Sequence, residues 1–402
     1  MGDRNAPYPT HQELKTPMKI KSIRAIEIEP RAKNPGTKPY QRQSLQPAGP
    51  LERYSRYRNT RSAGGAPWKT LACIAEAEDG TWGLGLTTAA GPTLSIINDH
   101  FRPHLEGENA MAIERHFDVM TRLAAPYGAQ GLPTMAISAV DLALWDLKGK
   151  VLQRPVYELL GGTQKDKIFC YATGFDLEWY LELGFKAVKL PMPYSPLDGI
   201  EGLKKAEEMV AQSRAIIGDE IELALDCWMA LNVEYAVRLA EVLKPYRLKW
   251  IEDFLLPDDM DGFAEVRQRV PDQPLATGEH WYLPPTFAAA ARNKLVDIFQ
   301  PDLLWAGGLT ACVQICHIAE ANGLTVIPHG GMNWPYGQHL VAAMPAATWG
   351  ERSGGVSPQG VPLADTVVLP GTVAIEDGYL VPSDAPGFGI DVDNAWLESV
   401  AV

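Results

Sequence analysis

Through the second half of the chain, short apolar stretches each end on a lone polar residue, and they recur at near-constant intervals. IELALD ends at Asp226, KWIE at Glu252, PLATGE at Glu279, DIFQPD at Asp302 and LTVIPH at His329. Glu351, after AAMPAATWG, is a less clean sixth. The intervals are about 22 to 27 residues, one strand plus the helix that leads to the next strand. Alternation at that period predicts a parallel sheet and an α/β fold. A TIM-type barrel gathers the residues at the C-terminal ends of its strands around one site. Three carboxylates followed by an Asp and a His, all at such ends, read as a metal centre with a base beside it.

At 402 residues the chain is long enough for two domains or for a barrel with additions. A net charge of −13 argues against nucleic acid or an anionic membrane as a partner, though a divalent cation can invert the field locally for an acidic substrate. The chain shows no apolar stretch long enough to span a bilayer and no signal segment. Five cysteines, Cys73, Cys170, Cys227, Cys312 and Cys316, are odd in number and lack ligand spacing. They predict free thiols and a cytoplasmic location.

Before the repeats, MKIKSIRAIEIEP alternates as a strand should, and LACIAEAEDGTWGLGLTT reads as a hairpin turning at Asp79-Gly80. Between them the segment from Arg31 to Trp68 has no period, as expected of a functional lid loop. Helical patterns follow at about Pro92 to Leu105 and Asn109 to Ala124, then strongly from Thr134 to Gly162. The expected division is a flexible lead-in at 1–17, an α+β capping domain at 18–145 and a barrel at 146–370. A tail at 371–402 should pack back on the cap.

Asp226, Glu252 and Glu279 would offer hard oxygen ligands, the kind that suit Mg²⁺ with positions left open for substrate. His329 precedes Gly330-Gly331 and should point into the site mouth. Asp302, one unit earlier, could hold the other ring nitrogen, fix the tautomer and raise the basicity. A base beside a divalent cation suggests proton abstraction next to a carboxylate, a proton too weakly acidic for imidazole alone.

The stretches TMAISAVDLALWDLKGK, YATG, DCWM, KWIE, GEH, QPD, WAGGLT, PHG and PGFG occur in that order. Together they resemble the enolase superfamily, mandelate racemase branch, and within it the rhamnonate dehydratases and related acid-sugar dehydratases. The resemblance runs from about Met18 to the C-terminus. It implies a modified (β/α)7β barrel under an N-terminal cap, with Mg²⁺ on Asp226, Glu252 and Glu279 and a His329–Asp302 dyad. It also implies a carboxylic acid at Glu351 that hydrogen-bonds the substrate carboxylate. Many branch members carry Lys-x-Lys on the second strand, the second Lys being a base; here the sequence is Lys189-Leu190-Pro191. Proline at that position favours dehydration over two-base racemisation, and rhamnonate dehydratases resemble this pattern too.

Lys189 reads either as an electrostatic aid near the substrate carboxylate or as a structural lysine. Trp228 stands where many relatives have Asn and should narrow the pocket or pack. His280 reads as a substrate or metal-shell contact, or as structural. Arg61 resembles a cap arginine of the subgroup, with Arg53, Arg56 and Arg58 as neighbours in sequence; Gln41 and Gln43 stand in the region where the subgroup carries a cap histidine. The reaction so implied dehydrates a small sugar acid, L-rhamnonate first and L-lyxonate close behind, to a 2-keto-3-deoxy acid. An epimerase or racemase and a catalytically silent sensing barrel are the alternatives. Relatives are often octamers, which implies a homo-oligomer.

Overall fold

The computed structural model describes residues 18–32, 47–57 and 68–402. The lead-in, much of the expected lid loop, Arg58, Arg61, Gln41 and Gln43 lie outside the described residues.

Alternation along the first strand gives β1 (Ile20–Ile28), with Ile20, Ile23, Ala25 and Ile28 buried. It pairs antiparallel with β2 (Thr70–Ala77), which pairs with β3 (Trp82–Thr87). The β2–β3 hairpin turns where expected: Asp79 Oδ1 accepts from the Thr81 N–H at 2.9 Å, and Gly80 takes a φ of 85°. A helix, Leu132–Leu152, lies across this sheet. On β3, Gly83 and Gly85 are two residues apart and therefore share a face. A Cβ at Gly85 would strike the Ala139 carbonyl and the Ala143 amide, so the helix backbone rests directly on the strand.

That helix crosses the expected domain boundary at 145/146. It packs on the cap sheet on one side and on the barrel helix Gly308–Ala321 on the other, with the Trp145 indole donating to Thr310 Oγ1 at 2.9 Å. Buried on both sides, it carries no polar face to mark an end. The barrel sheet starts only at β4 (Ile168–Thr173).

The barrel continues through β5 (Ala187–Pro191), β6 (Glu222–Asp226), β7 (Ile251–Glu252), β8 (Leu275–Thr277), β9 (Ile298–Phe299), β10 (Thr325–Val326) and β11 (Trp349–Arg352). Each strand pairs in parallel with the next as far as β10, and β11 pairs back with β4. A bridge from Val326 to Ala347 brings the two ends of the sheet together. An α-helix follows each of the first seven barrel strands, and β11 leads into the tail, so the (β/α)7β expectation holds. The floor is filled by the rings of Tyr171, Trp250 and Trp349 against Ala187, Ala224 and Ala276, large against small. With the floor closed, the open end of the barrel is the one where the strands finish.

The tail folds back over both parts. β12 (Tyr379–Leu380) joins β4 antiparallel, the Phe388 N–H donates to Asp146 at 3.0 Å, and Ala401 bridges Ile28 of the cap. All five cysteines are buried free thiols, and burial pushes their pKa values up. Among the described residues no helix is long and apolar enough to cross a membrane.

Candidate active site

Register carries the proposed ligands to the open end. Asp226 pairs with Pro191 on one side and with Glu252 on the other, so the last residues of β5, β6 and β7 share a level. Glu279 follows β8 by two residues, Asp302 follows β9 and His329 follows β10. All are buried or nearly so. With Asp253 and Glu351, six carboxylates meet at the strand ends against one lysine and two histidines.

Lys189 is fully enclosed. Its ammonium forms an ion pair with Glu252 Oε1 and another with Glu351 Oε1, the latter at 2.8 Å. It is thus a built part of the floor rather than a solvated side chain. Glu252 also accepts from the Trp250 indole at 2.8 Å and from Gln300 at 2.6 Å. Burial, helped by Asp226, Glu351 and Glu279 and opposed by Lys189, lifts the Glu252 pKa to about 8. Asp226 accepts from the Trp228 N–H through Oδ1 at 2.9 Å.

Glu351, where the resemblance implies a carboxylic acid, is ringed by donors. It accepts from Thr173 Oγ1 at 2.6 Å, from the Gly330 N–H at 2.8 Å and from Lys189. Burial alone would raise its pKa; Lys189 and His329 reverse that and hold it near 2. Each of these groups can donate to the Glu351 carboxyl.

His329 stands as expected of a base. Nδ1 lies 2.8 Å from Asp302 Oδ2, and Nε2 lies 3.3 Å from Glu279 Oε2 on the ligand side. Asp302 is itself fixed by the Leu304 N–H at 2.7 Å. Burial disfavours charge on the imidazole, but Glu279, Asp302 and Glu351 outweigh it and push the pKa well up.

His280 belongs to a second set. Its Nδ1 lies 3.1 Å from Asp253 Oδ2 and 3.4 Å from Glu279 Oε1. Asp253 also accepts from Thr277 Oγ1 at 2.6 Å. Burial lowers the His280 pKa, and the Glu279 and Asp253 carboxylates overcome it and hold it at about 9. Among the described residues, the ligand-type atoms that lie within 4.8 Å of one another are those of Asp253, Glu279 and His280. One argument favours the trio on the strand ends for a hard cation: magnesium prefers oxygen to imidazole, and the trio is all carboxylate where the other set includes the His280 ring. The acidic surplus fits such an ion.

Trp228 closes one wall. It sits in left-handed backbone with a φ of 36°, and its ring lies against Gly49 of the cap, where a Cβ would come within 2.7 Å of it. The Ala48 N–H donates to the Met192 carbonyl at 2.8 Å, so this part of the cap is tied to the barrel mouth beyond β5. Arg53 and Arg56 lie exposed, over Tyr54 and Tyr57.

Residues 63–161 match the family model for the mandelate racemase / muconate lactonizing enzyme N-terminal domain, and residues 176–396 match the enolase C-terminal domain-like model. The chain belongs to the enolase superfamily, in its mandelate racemase branch. Among relatives in this superfamily, an L-rhamnonate dehydratase of Saccharopolyspora erythraea is 40% identical over 85% of this chain and 88% of its own. The crystal structure of rhamnonate dehydratase from Gibberella zeae complexed with Mg superposes with a TM-score of 0.88 at 31% identity, covering 96% of this chain and 97% of that one. A 3,6-anhydro-D-galactonate cycloisomerase from Zobellia galactanivorans gives 0.75 at 30% identity, covering 96% and 99%.

Sequence reasoning passed over several residues that contact the groups of this site: Thr173, Trp250, Asp253, Thr277, Gln300 and Trp305. Period two could have found two of them, since Trp250 shares its face with Glu252 and Thr173 follows an inward Tyr171 by two residues. Asp253 carried a misleading signal: it follows Glu252 directly and would face away in a regular strand. A left-handed φ of 49° brings its side chain round to His280.

Proposed function

We propose that the protein is a Mg²⁺-dependent acid-sugar dehydratase, acting on an aldonate of the L-rhamnonate type, with Asp226, Glu252 and Glu279 as metal ligands. The observation that carries the reading is one oriented imidazole without a counterpart across the site among the described residues. His329 is held by Asp302 with Nε2 facing the carboxylate floor, while the second-strand position opposite is Pro191. A two-base racemase needs an ionisable group on that second strand end. The 40% identity to an L-rhamnonate dehydratase over most of both chains supports the same outcome.

Bound Mg²⁺ would act as a Lewis acid that neutralises charge developing on the substrate carboxylate. The protein's own groups do the rest. His329 takes the C2 proton at Nε2 in its neutral form, which a cation held by Glu279 would favour by offsetting that carboxylate's pull on the imidazole, while Asp302 fixes the tautomer and balances the imidazolium that forms. The electron pair of the C2–H bond becomes the C2–C3 double bond, and the C3–O bond breaks. The imidazolium returns its proton to that oxygen, which leaves as water. The enol then tautomerises to the 2-keto-3-deoxy acid. Lys189 stays paired with Glu252 and Glu351 and keeps two buried anions in place.

A panel of aldonic and aldaric acids with Mg²⁺, read as 2-keto acid formed, tests the proposal. It expects a signal from at least one 6-deoxy aldonate that is abolished by EDTA. Epimerised substrate without keto acid would instead establish a racemase.

A further inference from the structure

Trp305 occupies the turn after Asp302, and its backbone N–H donates to the Asp302 carbonyl at 3.0 Å. Its indole lies between two site histidines, 5.2 Å from the His329 ring at 32° and 5.8 Å from the His280 ring at 35°. That position puts it beside the proposed base. Its one polar atom, Nε1, is sealed from solvent and donates to nothing among the described residues. The contrast with other indoles is informative. Trp145 donates to Thr310, Trp179 to Ser357, Trp250 to Glu252 and Trp281 to the Pro257 carbonyl. An indole is a donor only, and a buried N–H left unpaired is a standing cost. A fold that pairs those four and leaves the fifth open in its reaction site holds a donor ready for an acceptor that arrives with the ligand.

We infer that Trp305 is a specificity-determining residue: its Nε1–H donates to a substrate hydroxyl beyond C3. The inference rests on the dehydratase reading. In that reading the carboxylate and the C2 hydroxyl beside it face the acidic floor and the C3 oxygen takes its proton from His329, so the acceptors left over are the C4 and C5 hydroxyls. The stacked ring would meanwhile hold the imidazole plane, a role that phenylalanine can keep.

The test compares the wild type with Trp305→Phe on the substrate and on its 4-deoxy and 5-deoxy analogues. The variant keeps a ring against His329 and loses the N–H. On the full substrate kcat/KM should fall roughly ten- to thirtyfold, the worth of a hydrogen bond lost to a buried donor site. Most of that fall should lie in KM, with the pH–rate profile unmoved. On the analogue lacking the accepting hydroxyl, the wild type and the variant should agree within roughly threefold. Equal activity on the full substrate, or the same loss on every analogue, would overturn the inference and leave the dehydratase reading standing. A wild type that turns over no aldonate overturns both. Melting temperature and Trp305→Tyr, a ring of similar reach, identify a loss that comes from misfolding; a Tyr variant as poor as Phe on all three substrates counts against the inference.

Discussion

Replacing Lys189 with methionine should show how the floor of the site is held. The ammonium is enclosed and pairs with two carboxylates, neither of which has another ion-pair partner among the described residues. Its removal leaves Glu252 and Glu351 buried beside each other and beside Asp226. Breaking a buried ion pair on one side costs roughly 3–5 kcal/mol. The depression of the Glu351 pKa from 4.5 to about 2, by Lys189 and His329 against burial, is worth about 3 kcal/mol and agrees in size. Calorimetry in EDTA at pH 7.5 should therefore show Tm lower by roughly 4 to 6 °C. The sign with pH follows from the same charges. Without Lys189 the Glu351 carboxyl loses the charge that holds its folded-state pKa down and Glu252, already raised, goes higher, so the variant gains relative stability as pH falls and loses it as pH rises. The deficit should be largest at pH 7.5 and smaller at pH 5.0. A variant as stable as the wild type, or a deficit that grows in acid, would refute this account of the floor.

Gly85→Ala should cost several kcal/mol, because a Cβ there meets the backbone of the Leu132–Leu152 helix and neither element can yield; urea unfolding measures it, and a cost near zero would contradict that packing. Gly49→Ala should push the cap away from the Trp228 ring, raising KM for the aldonate while Tm stays close to that of the wild type. His339 accepts from the Tyr157 N–H at 3.2 Å, and burial lowers its pKa to about 3. A lowered histidine lends stability that is present above its unfolded pKa and lost as pH falls, so between pH 7 and 5 the wild type should lose about 2 kcal/mol more than His339→Gln.

The barrel was legible in the sequence because each unit closes an apolar run on one polar residue, and parallel strands put those closing residues at one end. Asp226, Glu252, Glu279, Asp302 and His329 could be read for that reason. The division of the chain at 145/146 could not, because the helix crossing it is buried by the cap on one face and by the barrel on the other. The donor set around Glu351 was also hidden. It depends on Lys189, Thr173 and the Gly330 amide meeting from β5, β4 and the turn after β10, and no local pattern records that meeting. The Asp253–His280 contact depends on one left-handed residue. The unpaired indole of Trp305 is visible only once every neighbouring acceptor has been placed.

The account stands on one imidazole acting first as base and then as acid over an oxygen-ligated cation. The most direct measurement is turnover and Mg²⁺ affinity in His329→Asn, by keto-acid assay and titration calorimetry on the same preparation. Loss of turnover by roughly 10²–10⁴ or more, with Mg²⁺ affinity changed by less than roughly tenfold, is the predicted result. Turnover that survives the substitution would contradict it.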